Sequence, residues 1–379
     1  MLLLLLTGCS SDEEQREKAR LKIYVFAPDR PIVTRADNGD VSASEAEKKI
    51  NSLHVWVFEH ETGKYVGHIS LSNVTLSETT GSAVTMELDD AFADRETKPN
   101  VDVYVAANVT SANCGVSLNA ATTRDQLEAA LIGQNYFGLS SPVKVVPTDG
   151  LPMTGVMKNK KITGSSPVFQ VSEDAGGLAI VRLVRAVSKI RFVFSKSTSN
   201  PDEVTVNSVK LNAGVMPTSE YLFLDNAYEL ATPKWKVVDQ LEPEVTLVSS
   251  VNGEDIATND SPASYSWDGV MTGQAYETLI QTGIDQGKLS DLGTFYLRES
   301  DKLVTGTIDY TLKHTEKDAS VTTSQHTPAF RMKAVGDFSR NHTWIVYAYF
   351  VSSGDLVLGV VEVKDWVASD NTSQSVYNW

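Results

Sequence analysis

A run of seventeen residues, "LAIVRLVRAVSKIRFVF" from Leu178 to Phe194, constrains the fold of this chain most strongly. Its composition is typical of a β-strand, yet strands in globular proteins usually end after about 3–10 residues. We therefore expect one strand to end and the next to begin within the run, with a boundary between two domains near Val184. The length of 379 residues agrees with two domains.

Much of the remaining sequence alternates between apolar and polar residues, as strands with one buried face do. "LKIYVF" (Leu21 to Phe26) and "LHVWVF" (Leu53 to Phe58) are the clearest examples. In the second, we expect Leu53, Val55 and Val57 to share one face of a sheet. Clusters such as "SVNGEDIATNDSPAS" separate these runs and are typical of loops. This pattern predicts an all-β protein built of β-sandwiches.

Only one stretch clearly favours a helix. Thr123 and Gln126 have the spacing of a capping box, and Leu127 and Leu131 follow at helical spacing. We therefore predict one short helix, in the N-terminal domain.

Composition and motifs narrow the possible functions. The formal net charge of −15 argues against a nucleic-acid-binding surface, which needs a basic patch. The motifs of common nucleophilic, metal-dependent and nucleotide-binding enzymes are missing from the sequence, so we expect no enzymatic activity and no cofactor. His54 and His60 are the histidines nearest in sequence, and we predict no metal site there or elsewhere. Cys114 is expected to be a buried apolar residue.

The N-terminus resembles a lipoprotein signal. Five leucines lead to Leu6-Thr7-Gly8-Cys9, the pattern of a bacterial lipobox, and a polar run follows. No basic stretch precedes the leucines, which indicates a true start further upstream. We expect the thiol of Cys9 to be lipidated in the precursor, with this lipid as the only contact with a membrane.

A second feature lies between the first two predicted strands. Thr34-Arg35-Ala36 stands in a stretch of small and polar residues, the kind of exposed loop that proteases cut. Cleavage after Arg35 would detach the strand Leu21 to Phe26, and the sheet would then need a replacement strand. The alternative, that Arg35 is an ordinary surface arginine, is equally open from the residues alone.

Taken in order, these motifs resemble the fimbrillins, the type V pilus subunits of Bacteroidales. The resemblance extends over nearly the whole chain and includes the lipobox, the Thr34-Arg35-Ala36 step and the bridging strand "VRLVRAVSKIRF" (Val181 to Phe192). Further similar segments are "INSLHVWVFE", "VDVYVAAN", "LPMTG", "FSRNHTWIVYAYF" and "VVEVKDW". The resemblance implies two transthyretin-like Greek-key β-sandwich domains in tandem and a structural role without catalysis.

The resemblance also implies a maturation pathway. The subunit would be exported as an outer membrane lipoprotein acylated on Cys9, and an arginine-specific surface protease would cut between Arg35 and Ala36. The chain then divides into a signal and propeptide (1–35), an N-terminal sandwich (36–184) and a C-terminal sandwich (185–379).

Strand exchange is the final step that the resemblance implies. The strand carrying Leu21, Ile23 and Val25 would be lost, and a C-terminal strand of another pilus subunit, of the same or a related kind, would replace it. The donor strand would lie within Leu356 to Trp379. We expect Val361 and Val363 to share one of its faces, with Trp366 also in the strand. The mature protein would form a surface fimbria that supports adhesion and biofilm formation, with an unknown receptor.

Two alternatives keep the lipid on Cys9. In the first, the chain is an anchor or tip subunit of the same pilus. In the second, it is a glycan-binding surface lipoprotein, which requires exposed tryptophans on one face, and Trp235 and Trp267 are the candidates.

Overall fold

The predicted all-β class is confirmed by the structure, a computed structural model. It describes residues 18–26, 45–77, 81–133, 146–174, 176–224, 238, 240–248, 255–267, 271, 273–332, 338–351 and 355–363. The strands are β1 Arg20–Phe26, β2 Ile50–Glu59, β3 Tyr65–Val74, β4 Ser82–Glu87, β5 Val101–Ala107, β6 Leu131–Ile132, β7 Met153–Ser165, β8 Val168–Ser172, β9 Ile180–Arg182, β10 Val184–Arg185, β11 Ser188–Ser197, β12 Glu203–Leu211, β13 Glu220–Tyr221, β14 Val245–Val248, β15 Thr258–Asn259, β16 Ser290–Leu297, β17 Thr305–Thr315, β18 Val321–His326, β19 Ala329–Arg331, β20 Thr343–Phe350 and β21 Leu356–Val363.

In the described part of the chain, helices are few and mostly short. They are α1 Glu45–Lys48, α2 Asp90–Ala93, α3 Ser111–Cys114, α4 Arg124–Ala129 and α5 Gly273–Asp285, with a 3-10 turn at Pro262–Tyr265. The predicted capping box is present before α4, where the Thr123 and Gln126 side chains each accept a hydrogen bond from the other's backbone N–H. The longest helix, α5, was not predicted, so the expectation of a single helix was wrong.

The first sheet curls around its own core. Its strands follow the order β3-β2-β5-β7-β8-β1-β4, with β10 beside β7 and β9 beside β1. The outer strands β3 and β4 approach each other, and the Asp89 N–H donates to the Val66 carbonyl at 2.8 Å. Gly67 allows this approach, because a Cβ there would lie 2.9 Å from the backbone oxygen of Glu87.

The predicted alternation along β2 is confirmed. Leu53, Val55 and Val57 point into the core that the curled sheet encloses. Trp56 and Phe58, on the opposite face, belong to a second cluster that also contains residues from the C-terminal half of the chain. One strand therefore contributes to two different cores.

Two further sheets form a sandwich. One contains β15-β11-β20-β21 with β16 beside β11, and the other contains β14-β12-β17-β18 with β19 beside β17. Their facing side chains, including Phe192, Val206, Ile308 and Val346, make one buried cluster. Helix α5 covers the outer face of the first of these sheets through Tyr276 and Ile280.

The long run from Leu178 to Phe194 contains three strands in succession. β9 pairs with β1 and β10 pairs with β7, both in the curled sheet. β11 pairs with β16 and β20 in the sandwich. The chain thus passes from one sheet system to the other after Arg185. The division into domains at residues 184 and 185 stays a prediction.

A buried ionic network lies near the segment that contains β13. The Arg298 guanidinium lies 2.8 Å from a Glu242 carboxylate oxygen, and that of Arg340 lies 2.6 Å from Glu299. Glu220 accepts a hydrogen bond from the Glu299 backbone N–H at 2.8 Å. Its other carboxyl oxygen has no hydrogen-bond partner among the residues that the structure describes. Burial raises the pKa of Glu220 to about 8, against the opposing charge of Arg340. The Glu220 carboxyl group therefore holds a proton at neutral pH.

We predict that Glu220→Gln stabilises the protein at alkaline pH. The folded-state pKa of about 8 lies above the reference value of 4.5, so the folded protein keeps a proton that the unfolded chain has released between these values. The free energy of unfolding of the wild type therefore falls as pH rises through this window, by up to about 1.4 kcal/mol per pH unit. Glutamine imitates the neutral acid and removes this slope. Urea unfolding between pH 5 and 8.5 measures it.

Glu244→Gln is the matched control, because the Glu244 side chain is 52% exposed. It should leave the slope unchanged. A Glu220→Gln variant less stable than the wild type at pH 8.5 would contradict the protonated state.

Candidate functional site

Strand β1 lies inside the curled sheet, with neighbours on both sides. It pairs antiparallel with β4 over six residue pairs, from Arg20 opposite Glu87 to Val25 opposite Ser82. On its other side it pairs parallel with β8 in its first half and with β9 in its second half. Its backbone is therefore integrated into two hydrogen-bonded ladders.

The inward side chains of β1 form part of the core. Leu21, Ile23 and Val25 are each 0% exposed and belong to the cluster that the curled sheet encloses. The alternate residues Lys22 and Tyr24 are partly exposed. Full burial of one aliphatic side chain of this size contributes about 1.5–3 kcal/mol, so β1 supplies a substantial part of this core.

The end of β1 is closely packed. Phe26 is 2% exposed, and its ring fills the space beside Gly81, where a Cβ would lie 2.5 Å from a ring carbon. Gly81 also has a φ of +74°, a conformation that favours glycine. The Arg182 guanidinium lies over the same ring, 5.9 Å from its centroid.

The charged contact at the start of β1 lies in solvent. The Lys18 ammonium is 2.8 Å from the Glu87 carboxylate, and both side chains are more than 60% exposed. The hydrogen bond to Lys18 lowers the pKa of Glu87. Solvent screens an exposed pair of this kind, so apolar burial and backbone pairing hold the strand instead.

The chain that follows is fixed at α1. Glu47 is 2% exposed, and its carboxylate accepts a hydrogen bond from the Tyr296 hydroxyl at 2.6 Å and lies 3.1 Å from the Lys189 ammonium. Burial and the charge of Glu47 raise the pKa of Tyr296, so this phenol stays a donor. The Arg185 guanidinium, which is fully buried, donates to the Glu47 backbone carbonyl at 3.3 Å.

Asn108 holds the next residues in place. Its amide donates to the backbone carbonyls of Lys49 and Leu151 at 2.8 and 2.9 Å. Its carbonyl oxygen accepts from the Asn51 N–H at 2.8 Å. Residues 47–51 are therefore attached to the body of the protein by contacts that do not involve β1.

The proposed donor segment lies at a sheet edge. β21 pairs with β20 over eight residue pairs, with Val361 opposite Ile345 and Val363 opposite Thr343. Leu358 is 3% exposed and packs into the sandwich core. Among the described strands, β21 has β20 as its single hydrogen-bonded neighbour.

Several predicted residues lie outside the described residues: Cys9, Arg35, Ala36, Trp235 and Trp366. Cys114 is buried, as predicted. Trp267 is only 6% exposed and packs on Tyr276, so it does not offer an open face to a sugar. No described helix combines the length and the apolar composition that crossing a bilayer requires.

We predict that Ile23→Ala destabilises the uncleaved protein by about 2–5 kcal/mol, because it leaves a cavity at a fully buried position. Lys22→Ala, on the partly exposed face of the same strand, should change the free energy of unfolding by less than about 0.5 kcal/mol. Chemical denaturation of both variants measures the difference. Equal effects would show that β1 is not packed as described.

Solved structures similar to this chain include several fimbrial proteins. A fimbrial assembly protein from Parabacteroides distasonis is 13% identical with a TM-score of 0.49, covering 95% of this chain and 99% of that one. The tip fimbrial protein Mfa3 from Porphyromonas gingivalis is 14% identical with a TM-score of 0.41, covering 96% and 100%. A fimbrial protein from Bacteroides vulgatus is 10% identical with a TM-score of 0.45, covering 91% and 99%.

No curated protein sequence matches this chain. The family model of the major fimbrial subunit protein (FimA) matches residues 19–212, slightly more than half of the chain, and includes β1. The protein therefore belongs to the major fimbrial subunit protein (FimA) family.

Proposed function

We propose that this protein is a structural subunit of a cell-surface fimbria that polymerises by strand exchange. It is exported as an outer membrane lipoprotein on Cys9, is cut after Arg35 by an arginine-specific surface protease, and then loses β1. A C-terminal strand of another subunit, of the same or a related kind, takes the vacated place. The resulting fimbria supports adhesion and biofilm formation.

The position of β1 is the observation that carries this proposal. β1 is in the interior of the sheet, and its covalent connection to all the other described strands runs through the residues that follow Phe26. Arg35 lies in that connection, and the Tyr296 hydroxyl holds Glu47 after it. A cut after Arg35 breaks the covalent link between β1 and the following chain, and it leaves residues 47–51 attached to the body of the protein.

The empty groove would have a strong affinity for a replacement. Loss of β1 leaves unpaired backbone groups on β4, β8 and β9 and exposes the sites of three aliphatic side chains. A strand with apolar residues at alternate positions satisfies both needs, as in β-augmentation. Each recovered backbone hydrogen bond contributes about 0.5–1.5 kcal/mol.

An edge strand is a suited donor. β21 gives up one ladder, with β20, when it leaves its own sheet. In the groove of another subunit it would have neighbours on both sides. The exchange therefore increases the number of paired backbone groups. Val361 and Val363 share one face of the donor, and Trp366 follows them in the sequence.

The proposed domain division follows from the same scheme. An N-terminal sandwich, residues 36–184, accepts the strand, and a C-terminal sandwich, residues 185–379, supplies it. The passage of the chain between sheet systems after Arg185 supports this division. The partners are other pilus subunits and the protease, and the precursor lipid is the membrane contact.

Arg35→Ala should block maturation. We expect the wild-type protein sheared from cells to begin at Ala36, whereas the variant keeps the lipid on Cys9, retains β1 and forms no filaments. Mass spectrometry of the N-terminus and electron microscopy measure the two outcomes.

Arg30→Ala is the matched control, because it removes the same charge from the same segment five residues earlier. It should mature and polymerise normally. A mature wild-type protein that retains lipidated Cys9 would contradict the cleavage and would favour the anchor or tip subunit instead.

Charged residues on the donor face should prevent polymerisation. In Val361→Asp/Val363→Asp, we expect cleaved subunits that are folded but form no filaments, because carboxylates cannot enter the apolar groove. These subunits should still accept a wild-type strand and so cap growing wild-type filaments. Light scattering during mixed assembly measures both effects.

Glu362→Lys is the control on the opposite face of β21. It should polymerise like the wild type. Because a shift of one residue exchanges the two faces, normal filaments from the double variant and none from Glu362→Lys would show that the register is wrong.

A further inference from the structure

A pair of histidines lies on the hairpin of β2 and β3. His68 on β3 is opposite Trp56, and His54 lies two residues before Trp56 on β2. The three side chains therefore share one face of the hairpin. Sequence spacing had singled out His54 and His60, but the hairpin register brings His54 beside His68.

The two imidazoles face each other through ring nitrogens. His54 Nδ1 and His68 Nε2 are 3.4 Å apart, and the ring planes differ by 15°. This separation is longer than the 2.7–3.2 Å range that is usual for an N–H donor, so any hydrogen bond between them is weak.

The same separation agrees with joint coordination of one metal ion. Zinc–nitrogen bonds of about 2.0–2.1 Å at a tetrahedral angle place two ligand nitrogens about 3.4 Å apart. A square-planar copper site would need them closer, at about 2.8 Å. The observed 3.4 Å therefore favours a tetrahedral ion.

The surroundings keep the rings neutral and in position. Burial lowers the pKa of His54 and lowers that of His68 to about 4, and the neighbouring imidazole adds to the effect at His68. The fully buried Trp56 ring lies 5.4 Å from His54 and 5.1 Å from His68, measured between centroids. The indole is itself fixed, because its N–H donates to the Asn119 carbonyl at 2.9 Å.

We propose that His54 Nδ1 and His68 Nε2 form a binding site for a tetrahedral divalent transition metal ion, Zn²⁺ by the distance between these nitrogens. Imidazole nitrogen is a preferred zinc ligand. The described residues contain no cluster of three or more His, Cys, Asp or Glu side chains that suits a metal, so water molecules complete the coordination.

Metal binding would have a structural effect on the first sheet. The ion would connect β2, which is inside the sheet, to β3, which is an outer strand. Because the folded hairpin holds both ligands together and an unfolded chain does not, zinc would stabilise the fold.

Titration calorimetry of the full-length protein with ZnCl₂ tests this site. We expect saturable binding of one ion and a higher melting temperature in zinc. His54→Gln and His68→Gln should each weaken binding about tenfold or more, whereas His326→Gln, on exposed β18, should not. His54→Gln and His68→Gln should keep the wild-type melting temperature in the absence of metal.

A ¹⁵N spectrum of the histidine side chains separates this site from other zinc binding. On the wild-type protein, zinc should shift the resonances of His54 Nδ1 and His68 Nε2 and leave those of His326 unchanged. Absence of zinc binding by the wild type would overturn the proposal. Zinc binding that leaves both resonances unchanged would overturn it as well.

Discussion

The packing of β1 into the curled sheet is the contact on which the arrangement of the N-terminal half depends. Three fully buried aliphatic side chains from this strand, at positions 21, 23 and 25, meet residues from β2, β5 and β8 in one core. β1 also supplies the pairing edge for β4, β8 and β9. Without some strand in this position, three others lose a neighbour, and β4 is separated from the rest of the sheet.

The fold was predictable where the signal is local. The two-residue alternation of Leu53, Val55 and Val57 fixed the inner face of β2, since each side chain's direction follows from its position in the strand. The cap at Thr123 fixed the start of α4 for a similar reason. Helix α5 was missed although Tyr276 and Ile280 have helical spacing, because the turn residues around it are typical of loops.

The contacts around the candidate site were much less predictable. Glu47 stands in the polar stretch "EAEKK", which by composition reads as solvent-exposed, yet it is buried because its partners Tyr296 and Lys189 are distant in sequence. His54 and His68 meet only through the register of a hairpin, which periodicity alone does not give. In both cases tertiary structure, rather than local sequence, determines the environment of a titratable group.

Because β1 pairs differently with its two sides, only one strand direction fits its place in the sheet. β1 runs antiparallel to β4 on one side and parallel to β8 and β9 on the other. A strand that entered the groove in the opposite direction would run parallel to β4 and antiparallel to β8 and β9. Its backbone hydrogen bonds would then not match those that β1 makes. An assembly joined through this groove therefore inherits one orientation at every junction. Such head-to-tail contacts do not pair two copies symmetrically. Where the rotation from one copy to the next does not close a ring, repeated addition gives an open, polar fibre whose two ends are chemically different.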